Sequence, residues 1–254
     1  EIDHCAMTPE QIGLYQAVLD KLLVEQNDDT AEPRQGAILA AITALKQICN
    51  HPAHYLDDGS ALDGRSAKLE AFDDLIDSAS EARSDDRSEP TLVFTQYVVM
   101  AKLLASHLSE RGISHAILHG SLSPTERQRL TDEFQAGHID VLVCSLRAAG
   151  TGLTLTRATQ VIHYERWSNP AVEDQATDRA HRIGQTATVS VHRLISEGTL
   201  EERVAEVLGQ KRQLAGAVMG TGVDGWIGGL NDGELGELLR RQRPGGAASS
   251  EDAA

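Results

Sequence analysis

The chain has 254 residues, 41% of them hydrophobic, enough apolar material for one large or two modest domains with a packed core. No apolar run approaches the roughly 18 residues of a membrane-spanning helix, and the N-terminus EIDHCAMTPEQ lacks the basic and apolar regions of a signal peptide, so neither secretion nor membrane insertion is expected. The net charge of −15 excludes nucleic-acid binding through a broad basic surface, although much of the acid sits in the peripheral stretches QNDDTAE, DDGSALD, SDDRSE and SSEDAA, which leaves room for local phosphate contacts.

Residues 8 to 24 carry Ile12, Tyr15, Leu19 and Leu22 at helical spacing behind Thr8 and Pro9, a cap and first turn. Residues 36 to 49 repeat the pattern with Ile38, Ile42, Leu45 and Cys49, and this second helix should stop at CNHP, because Pro52 disfavours helical geometry at His51. A third helix, with Leu69, Phe72 and Ala79 on its apolar face, runs into the polar loop SEARSDDRSEP.

From residue 90 the rhythm changes to short apolar runs alternating with amphipathic helices, the pattern of a parallel sheet with crossover helices. The runs are TLVFTQY (91 to 97), HAILHG (115 to 120), DVLVCS (140 to 145), QVIHYE (160 to 165) and VSVHRLI (189 to 195). Between them lie the helices VVMAKLLASHLSERG and PTERQRLTDEFQAG, the second opened by Pro124 and closed by Gly137. A last helix, TLEERVAEVLGQKRQLAGAVM, should pack back as a brace, and PGGAASSEDAA reads as a flexible tail. The expected organisation is a helical extension over 1–89, an α/β sheet lobe over 90–219 and a brace continuation with tail over 220–254.

In an open parallel sheet the ligands gather at the carboxyl ends of the strands, so the loops after the strands carry the candidate chemistry. One is SLRAAGTGLTLT, where Gly150 and Gly152 flank Thr151 and let the backbone approach a partner closely. Another is EDQATDRAHRIGQ, read as a helix with Arg179 and Arg182 on one face. On spacing alone these arginines fit a solvated face, or pairing with Asp178 or Asp174, better than they fit a role in neutralising a transferred phosphoryl group.

The segments CNHP (49 to 52), VFTQY (93 to 97), HG (119 to 120), SLRAAGTGLTLT (145 to 156) and RWSNPAVEDQATDRAHRIGQ (166 to 185) resemble, in order and spacing, the C-terminal half of the Swi/Snf-type ATPases. The resemblance covers roughly residues 1 to 219. It implies a RecA-like parallel sheet flanked by helices, with an N-terminal helical extension and a C-terminal brace helix. It also implies that Arg179 and Arg182 reach ATP phosphates held, with Mg2+, by an N-terminal RecA-like lobe. Gln175, Asp178, Gly150 and Gly152 would then border the ATP cleft, while Thr95, Gln96, His119, Gly120, Ser145, Arg147 and Thr151 would face double-stranded DNA. Backbone amides and short hydroxyls suit phosphate contact without a basic surface.

The implied function is a DNA translocase that displaces bound protein. Rival readings are a binding module without turnover and an RNA helicase, the latter disfavoured by Gln185 and by CNHP. Departures from the family pattern fall at Ala149, Thr154 and Ser168. There is no GxxxxGK[ST] phosphate loop, and Asp132-Glu133-Phe134-Gln135 lies inside an amphipathic helix instead of ending a strand, so no acidic tetrad is assigned. The chain alone is therefore expected to be inactive.

Cys5, Cys49 and Cys144 are odd in number and widely spaced, which argues for a reducing compartment and no disulfides. No metal site is expected from His4, Cys5, Cys49, His51 and His54, whose spacing matches no zinc knuckle. Cys144 reads as a small buried hydrophobe, His163 as a core histidine and Trp167 as an anchoring residue. An excess of arginine over lysine hints at a prokaryotic cytoplasm.

Overall fold

The computed structural model describes residues 1–25, 34–81, 89–145, 154–166, 170–182 and 184–206. Its centre is a six-stranded, all-parallel sheet in the order β1-β6-β5-β2-β4-β3. The strands are β1 (Ile2–Cys5), β2 (Thr91–Thr95), β3 (His115–Leu118), β4 (Val141–Ser145), β5 (Gln160–His163) and β6 (Ser190–Ser196). Five of them are the apolar runs anticipated from sequence. The sixth, β1, was not foreseen. It is only four residues long, alternates Ile2, Asp3, His4 and Cys5, and acquires strand geometry by pairing Ile2 to Cys5 with Arg193 to Ser196 of β6.

Helices cover both faces. On one side α4 (Ala67–Glu81) and α5 (Val98–Glu110) bury Phe72, Ile76, Met100 and Leu104 against Val93, Val143 and Ile162. On the other, α6 (Pro124–Ala136) and α7 (Pro170–Thr177) bury Leu130, Phe134 and Ala176 against Phe94, Leu142 and Val161. Successive strand residues thus point to opposite layers, as the pleat requires. The α6 boundaries match their signals: Ser123 Oγ accepts from Glu126 N at 3.2 Å, Pro124 begins the helix, and Gly137 ends it at φ +84°. Phe134 is fully buried inside α6, so the DEFQ stretch is helix core.

The N-terminal helices form a second layer. Thr8-Pro9-Glu10-Gln11 is a capping box for α1 (Pro9–Glu25): Thr8 Oγ1 accepts from Gln11 N at 3.2 Å and Gln11 Oε1 from Thr8 N at 3.1 Å. α2 (Arg34–Asn50) stops at CNHP as expected. A short α3 (Pro52–Leu56) follows, capped by His51, whose Nδ1 accepts from Ala53 N at 2.9 Å while its Nε2 meets Leu62 O at 2.9 Å. His51 therefore has both ring nitrogens occupied by the helix junction. A final helix, described over residues 200–206, packs Leu200 and Val204 against Tyr15, Leu45 and Ile48 of α1 and α2, the bracing contact anticipated for it. Among the described residues no helix is long and apolar enough to cross a membrane.

Candidate functional site

Strand order locates the site. After β2 the chain steps out to β3, returns to β4, and then crosses to β5 on the far side of β2, so the connections diverge at the carboxyl ends of β4, β2 and β5. This is where an open parallel sheet leaves a crevice. The loops following these strands hold the sequence candidates.

The floor of the crevice is a buried polar network that sequence reasoning missed. Glu165, two residues beyond β5, is essentially unexposed; its carboxylate accepts from Thr95 Oγ1 at 3.0 Å, Asn50 Nδ2 at 3.2 Å and the backbone N–H of Gln96. Burial pushes its carboxyl up to about 7, against the opposing pull of the Gln96 N–H and of Lys68. Lys68, also fully buried, donates to Glu201 at 2.7 Å and to Asn50 Oδ1 at 3.2 Å. Burial, the largest single effect, would lower the Lys68 ammonium, but the Glu201 carboxylate together with Cys49 and Glu165 holds it above its ordinary value. Glu201 also accepts from Ser196 N at 3.0 Å, so α2, α4, β2, β5 and the final helix are joined at one point.

These bonds engage two sequence candidates. Thr95 is fully buried, with its hydroxyl donated to Glu165, because a buried carboxylate needs donors. Gln96 spends its side-chain amide on Arg166 O at 3.0 Å. Ser145 is buried at the end of β4. Arg147, Gly150, Thr151 and Gly152, along with Trp167, lie outside the described residues. His119 and Gly120 stand at the open end of β3, with Ser121 Oγ against His119 Nδ1 at 2.7 Å. They are three strands from β5, roughly 14 Å along the sheet, and do not share a site with the arginines.

Beyond Glu165, Arg166 Nε donates to the buried Glu173 at 2.9 Å, which fixes the start of α7 beside β5. The other end is fixed by Thr177, whose Oγ1 meets His163 Nε2 at 2.9 Å and donates to Glu173 O. Burial, then the neighbouring Arg193 and Arg166, push His163 down to about 3, so the ring is neutral and stacks on Phe94 as a core residue. Cys144 is likewise core, its thiol pushed up to about 12 by burial.

α7 ends at Thr177, which corrects the reading of Arg179 and Arg182 as one helical face. The bonds Arg179 N to Ala176 O (3.1 Å) and Ala180 N to Thr177 O (3.0 Å) tighten the chain into turns, and Arg179 O is taken by Leu155 N at 3.0 Å, a partner outside the helix. The two arginines nonetheless meet. Together with Gln175, Asp178 and His181 they line one open cleft of about 410 Å³. Arg179 is only 5% exposed, and its Nε has no hydrogen-bond partner among the described residues. Burial, followed by the like charge of Arg182, lowers its pKa, and Asp178 opposes them. Arg182 is exposed and donates through Nη1 to Thr154 Oγ1 at 3.0 Å. A cleft with two guanidiniums, an imidazole and a single carboxylate is suited to a polyanion.

The Helicase conserved C-terminal domain family matches residues 67–184. The solved C-terminal domain of the Sulfolobus solfataricus SWI2/SNF2 ATPase is 33% identical and superposes with a TM-score of 0.78, covering 96% of this chain and 98% of that one. The chain belongs to the SWI2/SNF2 ATPase family. Its fold is the RecA-like C-terminal domain of that family, as the resemblance in sequence implied. The Sulfolobus SWI2/SNF2 ATPase core solved in complex with double-stranded DNA is 36% identical at TM-score 0.82, covering 96% of this chain and 50% of that core. YwqA of Bacillus subtilis (strain 168) is 40% identical over 242 residues, 94% of this chain and 26% of that protein. This SWI2/SNF2 domain thus spans about a quarter of that relative's length.

Proposed function

We propose that this domain is the second half of a double-stranded DNA-dependent ATPase motor, in which Arg179 and Arg182 complete a site whose triphosphate is held by an N-terminal RecA-like lobe. The observation that carries this reading is Arg179: a nearly buried side chain whose Nε has no partner among the described residues, lining the cleft that also holds Arg182. A permanent cation is kept in such a place at a desolvation cost, and an anion arriving at the cleft would offset it. The guanidiniums fit the phosphates of ATP. The cleft does not fit Mg2+, because Asp178 is its one carboxylate and stands among cations, so the metal belongs with the phosphates on the partner lobe.

When bound there, ATP supplies the phosphoryl transfer. This chain's residues supply charge at the transition state, and the Arg166–Glu173 pair with the Thr177–His163 contact keeps the turn in place. Closure of the two lobes would bring the cleft onto the nucleotide, and their parting would move the duplex. The sequence neighbourhood of Arg147 to Gly152, together with His119 and Gly120, supplies the DNA contacts in this reading. The setting we propose is the prokaryotic cytoplasm, with a DNA-bound protein as the object displaced.

In a protein carrying both lobes, Arg182→Ala lowers DNA-stimulated ATP turnover by about 10³-fold. Turnover within about twofold of the parent removes this arginine from the mechanism.

A further inference from the structure

The arginine cleft raises a question of position. Arg179 and Arg182 stand in turns and not on a helix, so something other than the α7 hydrogen-bond ladder must hold them. Three links tie these turns to the segment 154–158, which leads into β5. Two come from the arginines themselves: Leu155 N donates to Arg179 O, and Arg182 Nη1 donates to Thr154 Oγ1, both at 3.0 Å.

The third comes from Gln185, and it carries more bonds than either. Its Nε2 donates to Thr156 O at 2.9 Å and Ala158 O at 2.8 Å, with a longer approach to Ala180 O at 3.4 Å. Its Oε1 accepts from Ala187 N at 2.9 Å, and its own backbone N–H donates to Arg182 O at 2.9 Å. Gly184, at φ +108°, turns the chain back so that Gln185 reaches this position. The orientation of the amide follows from its partners, since only the nitrogen can face carbonyls and only the oxygen can face an N–H.

We propose that Gln185 is a positioning residue: its amide fastens the turns bearing Arg179 and Arg182 to segment 154–158, and so sets where the two guanidiniums stand. The chemistry is specific to an amide. Lysine or arginine donates to carbonyls but cannot accept from Ala187 N, and an ionised glutamate accepts but cannot donate to Thr156 and Ala158. The segment held is also the one that re-enters the described chain after residues 146–153. Gln185 therefore joins the segment leading into β5 to the arginine turns. This inference rests on the reading of the arginines as phosphate-contacting groups.

The test uses the protein with both lobes, saturating double-stranded DNA, and circular dichroism to confirm that each variant is folded at the assay temperature. Gln185→Ala lowers kcat about 10- to 100-fold while KM for ATP stays within about threefold, as expected for a guanidinium displaced by about an ångström. Gln185→Glu, which preserves the side-chain length, is similarly impaired at neutral pH. Its kcat relative to the parent climbs as pH falls into the carboxyl range, because a protonated carboxyl donates again.

Adding Gln185→Ala to Arg182→Ala produces less than the product of the two separate losses, since Arg182 and Gln185 act through one unit in which only Arg179 remains to be positioned. A folded Gln185→Ala variant with kcat within about twofold of the parent overturns the proposal. So does a Gln185→Glu defect that ignores pH, or a double variant whose losses multiply. If Arg182→Ala is itself unimpaired, the underlying reading of the arginines fails; if Arg182→Ala is inactive and Gln185→Ala is not, only the role of Gln185 fails.

Discussion

Lys68 and Glu201 show how much of the site depends on charges that no surface reveals. The pair is fully buried at 2.7 Å, with Asn50 and Ser196 N satisfying remaining valences. Removing one member leaves the other charge uncompensated in the interior, which typically costs about 3–5 kcal/mol, whereas removing both costs less than the sum. Lys68→Ala should therefore lower the urea unfolding free energy by that amount, with Lys68→Ala/Glu201→Ala partly restored. A single-variant loss under about 1 kcal/mol would show that the pair does not hold the crevice floor.

Such residues were hard to find in the sequence, because Lys68 and Glu201 are 133 positions apart and each sits at a helix start where a charge is ordinarily solvated. Glu165 gave a fainter signal: an acid closing the apolar run QVIHYE, beside Arg166, whose guanidinium the structure commits to Glu173 instead. Arg179 and Arg182 were found through the resemblance in sequence; spacing alone would have left them as a solvated pair.

The helices α4 and α5 are tied by a charge cluster as well as by their apolar layer. His107 Nε2 stands 2.8 Å from Asp73, Arg111 Nη1 is 2.5 Å from the same carboxylate, and Arg111 also reaches Asp77. The Asp73 hydrogen bond raises the His107 pKa, burial opposes it, and Asp63 adds to the rise while Arg111 detracts. A raised folded value means that the protonated ring stabilises the fold fully below its unfolded pKa of 6.5, and that this is lost as pH climbs through the folded value. Urea midpoints should accordingly fall as pH rises above 6.5, and His107→Gln should flatten that slope. An unchanged slope in the variant would remove His107 as its cause.

Elements with a strong pattern were placed correctly from sequence: α5 and α6 each bury one apolar face, and β2 to β6 are apolar runs packed between two helical layers. β1 was missed, and α7 was expected to run on past Thr177. β1 becomes a strand only through β6, and the polar sequence EDQATDRAH supports helix as readily as the tight turns imposed when Leu155 N claims the Arg179 carbonyl.

Taken whole, the domain is acidic yet concentrates cationic side chains in one cleft beside the strand ends. A net charge of −15 opposes diffuse attraction to nucleic acid, so the DNA contacts we propose are a few phosphate contacts made by loops. The arginine cleft is cationic on balance, with two guanidiniums against the Asp178 carboxylate. Nothing among the described residues supplies a second nucleotide-holding element, and the motor reading makes that element a property of the adjoining lobe.

The steady-state ATPase rate of this domain alone, compared with that of the same domain joined to its nucleotide-binding lobe, both with and without double-stranded DNA, addresses this directly. The joined protein should turn over ATP with strong stimulation by DNA, and the domain alone should show none. ATP hydrolysis by the isolated domain, or a joined protein indifferent to DNA, would contradict the account.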